Sequence, residues 1–423
     1  MLLSQLFTRT SKDAVADAQS INAALLTRAG FISKSMAGVY SFLPLGLRVL
    51  RKIEQIIREE MNVVGGQEIL MSALSPKEYW EKTGRWDKKV FESLFHVPAA
   101  NEQEYALNPT HEEIVVPLVQ QFIRSYRDLP FACYQIQTKF RNELRAKSGI
   151  LRGREFLMKD LYSFHRDAAC LDRYYEKVQG AYDRVFERLG LSGRTYLTYA
   201  SGGSFSPYSH EYQVLLPQGE DAIFISEEAE KQGRRIAVNR EIYEPKKTKC
   251  PVTGGTAFRE ARASEAANIF KLGTKFSDPF RLTYADEKGA VHTIVMGCYG
   301  IGVSRLMGII AEAFSDKRGL AWPVSIAPAR VIIIPLAKEQ KEESFRIAQE
   351  LAAQCGEKGI DCLLDDRIDA STGSRLADAD LLGVPLRAVI SPKSLQAGGV
   401  EVKERTNETA TVRPVREVIA LLS

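Results

Sequence analysis

The sequence predicts a mixed α+β protein with a smaller α/β domain at its C-terminal end. Up to about residue 327, helical and strand-like segments follow one another without a regular strand–helix alternation. After WPVSIAPAR, short apolar runs such as VIIIPL and PLRAVI do alternate with amphipathic helices. We therefore predict domains at residues 1–327 and 328–423, which the length and the 45% hydrophobic composition allow.

The first elements show clear helical periodicity. Residues 45–61 carry an apolar stripe of valine, leucine, isoleucine and methionine, and Gly65 and Gly66 end this helix before the strand-like QEILMSAL. Further on, Thr110 and Glu113 have the spacing of a capping box for the helix HEEIVVPLVQQFIRSY. The order helix, strand, helix is thus predicted for this part of the chain.

The next segment, ACYQIQTKFRNELRAKSGILRGREFLMKD, predicts a hairpin with a basic tip. Apolar and polar residues alternate from Tyr134 to Phe140, as in a strand with one polar face, and an apolar run resumes after Glu155. Four basic residues lie between the strands: Arg145, Lys147, Arg152 and Arg154. On this segment alone, a solvated turn and a site for an anionic ligand both remain open.

The remaining elements complete the two domains. A helix is predicted at 169–189, with strands at 211–216 and 268–276. The segment VHTIVMGCYGIGVSRLMGIIAEAF is typical of a strand, a glycine turn and a helix. The C-terminal domain is predicted to hold helices at 344–358 and 375–382 and a last helix, VREVIALLS.

Composition limits the class of protein. A net charge of +4 is weakly basic, so contacts with nucleic acid are expected from local patches. Six cysteines are dispersed without a CxxC pair, no secretory signal precedes them, and no run is long enough to span a membrane. These features predict a cytoplasmic protein with reduced thiols and no membrane association.

Several catalytic motifs are absent from the sequence. It contains no GxxxxGK[ST] loop, no HExxH and no GxSxG. The turn with Gly297, Gly300 and Gly302 continues as GIGVSR, which does not fit the GxGxxG of a dinucleotide fold. It does place Arg305 in the first turn of a helix, where an anion is favoured.

Arginines on separate elements favour a polyphosphate ligand. Arg141, Arg152 and Arg305 offer forked guanidinium groups that stay charged. Phe156 offers a ring for stacking on a nucleobase, and Glu143 offers an acceptor for an exocyclic amine. ATP is the candidate that uses all of these groups.

The motifs together resemble a class II aminoacyl-tRNA synthetase. Residues 45–74 resemble motif 1. Residues 132–164, which contain FRNE and RGREF, resemble motif 2, and residues 291–314, which contain MGCYGIGVSR, resemble motif 3. PTHEE, REFLMKDLYSFH, IFKLGTKFS and LLDDR narrow the resemblance to the bacterial-type prolyl-tRNA synthetases.

This resemblance implies a fold, a reaction and partners. It implies a catalytic domain built on an antiparallel sheet flanked by helices, followed by an α/β anticodon-binding domain. The implied enzyme is a homodimer that activates L-proline with ATP and Mg²⁺ and transfers it to tRNA(Pro). Ligases for threonine, serine or glycine are weaker alternatives because PTHEE and KDLYSFH favour proline. A noncatalytic paralogue that binds tRNA is the alternative from another class.

The resemblance also assigns roles to residues. The implied catalytic residues are Arg141 and Arg305. The implied ATP-binding residues are Arg141, Glu143, Arg152, Phe156, Glu211, Gly300, Gly302 and Arg305, with Glu211 also holding the metal. The implied proline-binding residues are Thr110, Glu112, Arg141, Met158, Asp160, Tyr162 and Asn268. The implied anticodon-binding residues are Asp365, Asp366 and Arg367.

Some of these roles have ordinary structural alternatives. Thr110 can equally be a helix cap, and the acidic pair in LLDDR can equally be a solvated strand end. His210 and Cys298 are expected to pack and are given no chemistry.

The sequence departs from the family pattern in three places. Ser72 stands where motif 1 normally has a proline, and Ala267 and Asn268 replace a Gly-His pair before Ile-Phe. Most bacterial-type members carry an editing domain between motifs 2 and 3, whereas only residues 226–267 occupy that interval here. We therefore expect no editing of Ala-tRNA(Pro) in cis, which leaves that task to a separate trans-editing protein.

Overall fold

The computed structural model describes residues 1–13, 20–100, 102–144, 146, 148–203, 205–206 and 208–422. The helices are α1 (Ile21–Arg28), α2 (Pro44–Val63), α3 (Lys77–Lys82), α4 (Glu112–Val119), α5 (Ala168–Arg188), α6 (Glu227–Lys231), α7 (Ser277–Phe280), α8 (Val303–Ala313), α9 (Glu343–Glu357), α10 (Thr372–Leu382), α11 (Pro392–Gln396) and α12 (Val415–Ala420). The strands are β1 (Ile32–Met36), β2 (Val39–Phe42), β3 (Gly66–Glu68), β4 (Leu74–Pro76), β5 (Phe95–Pro98), β6 (Glu104–Leu107), β7 (Phe131–Phe140), β8 (Glu155–His165), β9 (Thr195–Ser201), β10 (Tyr208–Leu215), β11 (Asp221–Ser226), β12 (Ile236–Asn239), β13 (Phe258–Gly273), β14 (Thr283–Ala285), β15 (Val291–Thr293), β16 (Val295–Gly302), β17 (Val331–Pro335), β18 (Cys362–Leu364), β19 (Leu386–Ile390), β20 (Val400–Glu404) and β21 (Thr411–Arg413).

Contacts within the chain define two compact units. One comprises Met1–Met36, Tyr40–Lys52 and Ile310–Ser423, and the other comprises Ala37–Val39 and Ile53–Ile309. Residues 310–327 thus group with the C-terminal segment, and the domain boundary at 327/328 stays a prediction from the sequence. In the described part of the chain, no helix has the length and apolar character needed to cross a membrane.

The larger unit is built on a nine-stranded sheet. Its strands lie in the order β10-β9-β12-β11-β13-β16-β8-β7-β3. The pairs β3–β7 and β9–β12 are parallel, and the other neighbours are antiparallel. Helix α5 packs on β8 and β16 through its apolar stripe. The mixed α+β class with a largely antiparallel sheet is therefore confirmed.

One end of this sheet closes on itself. Strand β13 pairs with β11 through its first half and with β10 through its second half. Because β10, β9, β12 and β11 are also neighbours, the pairings form a ring around a small apolar core. That core contains Tyr196, Ile223, Ile225, Ala237 and Ala263. Residues 226–267 thus contribute β12 and the first part of β13 to this ring.

Periodicity predicted the longest local elements correctly. Helix α2 buries Val49, Ile53, Ile57 and Met61, which recur at every fourth position and are each 0% exposed. Strands β7 and β8 form the predicted hairpin, which is closed at its tip by Phe140 opposite Glu155. Arg145 and Lys147 in the basic tip lie outside the described residues.

The predicted capping box at Thr110 is wrong. Helix α4 begins at Glu112, and its N-cap residue is His111. The Thr110 hydroxyl donates to the Glu112 carboxylate, while Glu113 accepts from Thr83 and Arg85 instead of turning back to the cap. Charged and polar partners from another part of the fold therefore outweigh the local pattern. The helix also ends at Val119, earlier than the periodicity indicates.

The smaller unit, which includes Ile310–Ser423, contains the predicted C-terminal α/β arrangement. Its five-stranded sheet has the order β18-β17-β19-β20-β21, with β17 parallel to both neighbours. Helix α9 packs on this sheet, as the alternation predicted. At the edge of the sheet, Leu2 forms a parallel bridge with Leu364.

Behind the large sheet, Lys159 is a fully buried lysine held by neutral groups. Its Nζ donates to the Tyr182 hydroxyl at 2.6 Å and to the Tyr299 carbonyl at 2.9 Å. Burial lowers the pKa of Lys159 to about 7, although Asp160 and Cys298 oppose this shift. The folded protein therefore holds this side chain largely neutral above neutral pH.

We expect Lys159→Met to remove a pH dependence of stability. An unfolded lysine has a pKa of about 10.4, so between about pH 7 and 10 the unfolded chain binds a proton that the folded chain does not, and stability rises with pH. In urea titrations, the free energy of unfolding should increase between pH 7 and pH 9 by roughly 2 kcal/mol more in the unmodified chain than in the Lys159→Met variant. The exposed Lys288→Met serves as the control, and equal pH slopes for Lys159→Met and the unmodified chain would contradict the expectation.

Candidate active site

Strand register brings five polar or glycine positions into one row. Gln135 on β7 pairs with Asp160 on β8, and Asp160 pairs with Gly300 on β16. Gly300 pairs with Asn268 on β13, which pairs with Glu211 on β10. Because side chains alternate between the faces of a sheet, neighbouring rows two residues away share this face. Those rows place Met158 beside Gly302 and Tyr162 beside Cys298.

The end of the hairpin carries the predicted nucleotide-binding side chains. The Arg141 guanidinium lies 5.1 Å from the centre of the Phe156 ring. Arg152 donates to the Glu143 carboxylate at 2.9 and 3.0 Å, and this ion pair is partly exposed. Four of the predicted ATP-binding residues therefore lie together where β7 and β8 meet the tip.

A second arginine from a distant part of the chain faces this group. Arg305 on α8 donates to the Leu151 carbonyl at 2.7 Å and to the Glu265 carbonyl at 2.8 Å. Burial, followed by the charge of Arg305, lowers the pKa of Arg141. Two guanidinium groups close enough to repel each other form a site that an anion would stabilise.

Gly300 and Gly302 on β16 have different roles. A Cβ atom at Gly302 would lie 3.1 Å from the Arg305 Cβ, so this glycine leaves room for that arginine. At Gly300, a Cβ would meet only the Asn268 carbonyl and the Met158 sulfur, both at 3.8 Å, which is ordinary contact. Packing within the protein therefore does not explain Gly300, whereas a ligand lying flat on the strand would.

Three carboxylates gather at the Glu211 end of the row. Glu211 accepts from Gln213 and Asn239, each at 2.9 Å, and Gln213 also donates to Asp221 at 3.1 Å. Burial, followed by the charge of Glu265, raises the pKa of Glu211 to about 8. This excess of negative charge fits a divalent cation that also binds phosphate oxygens. In the described residues, no set of three or more His, Cys, Asp or Glu side chains forms a complete metal site.

Several of the predicted proline-binding residues form a buried cluster of polar side chains. Glu112 is fully buried, and its carboxylate accepts from the Thr110 hydroxyl and from the Cys298 thiol at 3.2 Å. The Tyr162 hydroxyl accepts from the His111 amide at 2.9 Å and donates to Asp160 at 2.9 Å. Asn268 donates to Glu265 at 3.2 Å.

Asp160 is already enclosed by partners from the protein. Lys139 forms an ion pair with it at 2.7 Å, and Gln135 donates to it at 3.0 Å. Burial opposes ionisation of Asp160, but Lys139 and the other partners outweigh it and hold the pKa of the carboxyl below its usual range. This geometry favours an indirect role, in which Asp160 orients Tyr162.

Sequence reasoning missed three polar residues of this buried cluster. Burial lowers the pKa of His111 to about 4, so the ring is neutral and its Nδ1 accepts from Lys139 at 2.7 Å while Nε2 donates to the Ser72 carbonyl at 3.0 Å. Cys298, expected only to pack, is a donor to Glu112. Lys139 could have been suspected, because it lies on the polar face of β7 in phase with Gln135.

The anticodon-binding residues predicted in LLDDR have partners within their own unit. Asp365 is fully buried and accepts from Arg367 at 2.9 Å, and it also pairs with Arg375 at 3.2 Å. Asp366 accepts from the amide and hydroxyl of Ser4. Direct contact of Asp365 with an unstacked base does not fit this burial, so its place in the structure is an ion-pair cluster. Roles for Asp366 and Arg367 at the anticodon stay predictions.

Two family models match the chain. Residues 95–314 match the tRNA synthetase class II core domain (G, H, P, S and T), and residues 330–423 match an anticodon binding domain.

Curated relatives match over the full length. A proline–tRNA ligase from Ralstonia nicotianae is 32% identical over 571 aligned positions, covering 100% of this chain and 99% of that protein. One from Geobacillus thermodenitrificans is 34% identical over 564 positions, covering 99% and 98%. Since this chain has 423 residues, at least 148 of the 571 positions have no counterpart in it.

Solved structures share the fold. The chain superimposes on Giardia lamblia prolyl-tRNA synthetase in complex with prolyl-adenylate with a TM-score of 0.78 at 23% identity, covering 94% of this chain and 75% of that one. It also superimposes on the Cryptosporidium parvum prolyl-tRNA synthetase complexed with L-proline and AMP, with a TM-score of 0.76 at 21% identity, covering 95% and 74%.

Proposed function

Because this chain belongs to the family of proline–tRNA ligases built on the class II synthetase core, we propose that the polar row of the large sheet activates proline with ATP. Arg141 would bridge the α-phosphate of ATP and the carboxylate of proline. The observation that carries this assignment is that Arg141 and Arg305 reach the same hairpin. The Arg141 guanidinium lies 5.1 Å from the centre of the Phe156 ring, and Arg305 donates to the Leu151 carbonyl at 2.7 Å. A pair of neighbouring guanidinium groups at the end of the row is suited to a polyphosphate.

The hairpin would hold the nucleoside end of ATP. Phe156 would stack on adenine, with Arg141 on the same aromatic ring, and Glu143 would accept from the adenine amino group. In the free protein Glu143 pairs with Arg152. We therefore propose that ATP binding separates this exposed pair, after which Arg152 turns to the outer phosphates together with Arg305.

The flat part of the row would lie under the nucleotide. Gly300 supports this placement because its missing side chain leaves free space on the strand, and Gly302 gives Arg305 its place. Glu211 would hold Mg²⁺ with the help of neighbouring carboxylates. When bound, the ion would neutralise phosphate charge and orient the leaving pyrophosphate.

The buried pocket around Glu112 would bind the amino acid. Proline carries a secondary ammonium group, and a desolvated carboxylate is the strongest partner for it. Thr110 and Glu112 would contact this group, while Tyr162, Met158 and Asn268 would shape the space for the ring. The polar contacts of Glu112 support this role, because they fix the carboxylate in one orientation.

The reaction needs no protein nucleophile. The proline carboxylate attacks the α-phosphorus, pyrophosphate leaves, and a terminal ribose hydroxyl of tRNA(Pro) then attacks the carbonyl carbon and releases AMP. Catalysis would depend on alignment of the two substrates and on neutralisation of phosphate charge in the transition state. Arginines positioned by strand ends and a helix start can supply both effects.

ATP–pyrophosphate exchange with each amino acid in turn tests this proposal. We expect the purified chain to exchange label with proline at micromolar to millimolar concentrations and not with threonine, serine or glycine. Exchange that is absent with every amino acid, from a folded protein that still binds tRNA, would favour a noncatalytic paralogue. Exchange with another amino acid but not with proline would contradict the assignment of the pocket.

We further propose that the chain works as a cytoplasmic homodimer on tRNA(Pro). Motif 1, residues 45–74, supports a dimer by its resemblance to the family, and the dispersed free thiols suit a reducing compartment. The C-terminal unit would bind the anticodon through Asp366 and Arg367. A separate trans-editing protein would remove alanine from mischarged tRNA.

A further inference from the structure

Arg85 is a buried arginine that the activation reaction does not yet use. It follows α3 and is 2% exposed. The guanidinium carbon lies 4.1 to 5.5 Å from the centres of four aromatic rings, which belong to Trp80, Phe91, Phe205 and Phe276. We name these four residues the aromatic cage.

The cage holds Arg85 against two adjacent buried acids. Its Nη1 donates to Glu113 at 3.0 and 3.2 Å and lies 3.6 Å from the Glu112 carboxylate. Thr83 also donates to Glu113 at 2.8 Å. Both glutamates are 0% exposed, so neither charge is compensated by water.

The cage leaves little freedom for another arrangement. Arg85 Nε and Nη2 have no hydrogen-bond partner among the described residues. They lie instead among aromatic rings, whose faces attract cations. A planar guanidinium can stack on rings while one nitrogen reaches the acids, which a lysine ammonium cannot reproduce.

Arg85 is within ion-pair distance of both Glu112 and Glu113. Burial raises the pKa of Glu113 even though Arg85 opposes this shift, so the local environment disfavours a second negative charge. The other charged or titratable groups near the pair and Arg85 are Lys139, Arg141, Asp160, Tyr162, Lys275 and Cys298. Lys139 already pairs with Asp160, which leaves Arg85 as the cation in contact with both Glu112 and Glu113 among the described residues.

We propose that Arg85 is a positioning residue for proline binding, which holds the Glu112 carboxylate in the orientation that faces the secondary ammonium group of the substrate. This inference rests on the proposed role of Glu112. Glu113, which also accepts from Thr83, fixes the arginine from one side, and the aromatic cage fixes it from the others. Glu112 receives the remaining interaction. Arg85 itself does not touch the substrate.

Steady-state exchange kinetics of Arg85→Met and Arg85→Lys test this role. We expect Arg85→Met to raise KM for proline on the order of 10²-fold, because it leaves two buried acids without their cation, while KM for ATP changes less than about twofold. Arg85→Lys should give an intermediate rise, since it keeps the charge and loses the planar contact. Arg240→Met, which removes an exposed ion pair with Glu260, is the matched control.

A double-mutant cycle with Glu112→Gln separates positioning from general structural damage. If Arg85 acts through Glu112, either Arg85 variant should change KM for proline less than about threefold in the Glu112→Gln background. The same rise in both backgrounds, or a parallel rise in KM for ATP, would overturn the proposal, as would an unchanged KM in Arg85→Met. Should Arg85→Met fail to fold, the cycle is run with Arg85→Lys. Absence of proline-dependent exchange by the unmodified chain would instead contradict the proposed function.

Discussion

Arg141→Met is expected to reduce kcat/KM for proline-dependent ATP–pyrophosphate exchange on the order of 10³-fold. The guanidinium would contact both substrates and the phosphate charge that grows in the transition state, and removing one such donor commonly costs 10² to 10³ or more in rate. Arg141→Lys should recover only part of the loss, because a point charge cannot bridge two groups in fork geometry. Exchange rates measured over a matrix of ATP and proline concentrations give both constants.

Stability should not follow activity in the Arg141 variants. Burial and the charge of Arg305 lower the pKa of Arg141, which means that the fold disfavours this cation. Removing it should therefore leave the melting temperature unchanged or raise it. The exposed Arg127→Met provides a control for arginine loss near the same strand. A large fall in melting temperature, or exchange within tenfold of the unmodified chain, would argue that Arg141 is structural.

Local pattern predicted the hairpin and the polar residues that share one face of its first strand. Alternation from Tyr134 to Phe140 placed Gln135, Lys139 and Arg141 on one face before any pairing was known. The row that continues through Gly300, Asn268 and Glu211 could not be predicted in this way, because it depends on pairing between strands far apart in sequence. Resemblance to a family supplied the residues of that row, and strand register supplies the physical reason for their proximity.

Competition between local and distant interaction partners explains why neither the capping box predicted at Thr110 nor the solvated strand end suggested at Asp365 is found. Thr110 and Glu113 have the spacing of a capping box, but Arg85 and Thr83 offer Glu113 a stronger interaction. The same holds for Asp365, whose position at a strand end suggests a solvated acid, although arginines from its own unit enclose it. Neither outcome can be read from spacing, because the partners lie outside the local segment.

The ring formed by β9 to β13 bears on fidelity. Residues 226–267 supply α6, β12 and the first part of β13, and these complete the pairing around a small core. Every strand of the ring has neighbours on both sides, so the segment is a finished structural unit. In full-length relatives many aligned positions have no counterpart here, and the predicted catalytic, ATP-binding and proline-binding residues of the proposed site all lie outside residues 226–266.

Alanine is therefore expected to be activated and to stay on the tRNA. A pocket shaped for the proline ring rejects alanine mainly through missing methylene contacts, each worth about 1–3 kcal/mol, so kcat/KM for alanine should be only about 10²- to 10⁴-fold below that for proline. Alanine at high concentration should give measurable exchange. Purified Ala-tRNA(Pro) mixed with the chain should decay at the rate seen with heat-denatured protein.

Under this expectation, fidelity would depend on a deacylation reaction carried out elsewhere, and two contrary outcomes separate the causes. Accelerated deacylation of Ala-tRNA(Pro) would show that the chain carries a hydrolytic site, contrary to our expectation. Undetectable activation of alanine, with normal activation of proline, would show that the pocket discriminates by more than lost methylene contacts. Asn268 would then be the first residue to test, because we propose that it shapes the space for the proline ring, and its amide donates to Glu265. Asn268→His would restore the residue of the family pattern.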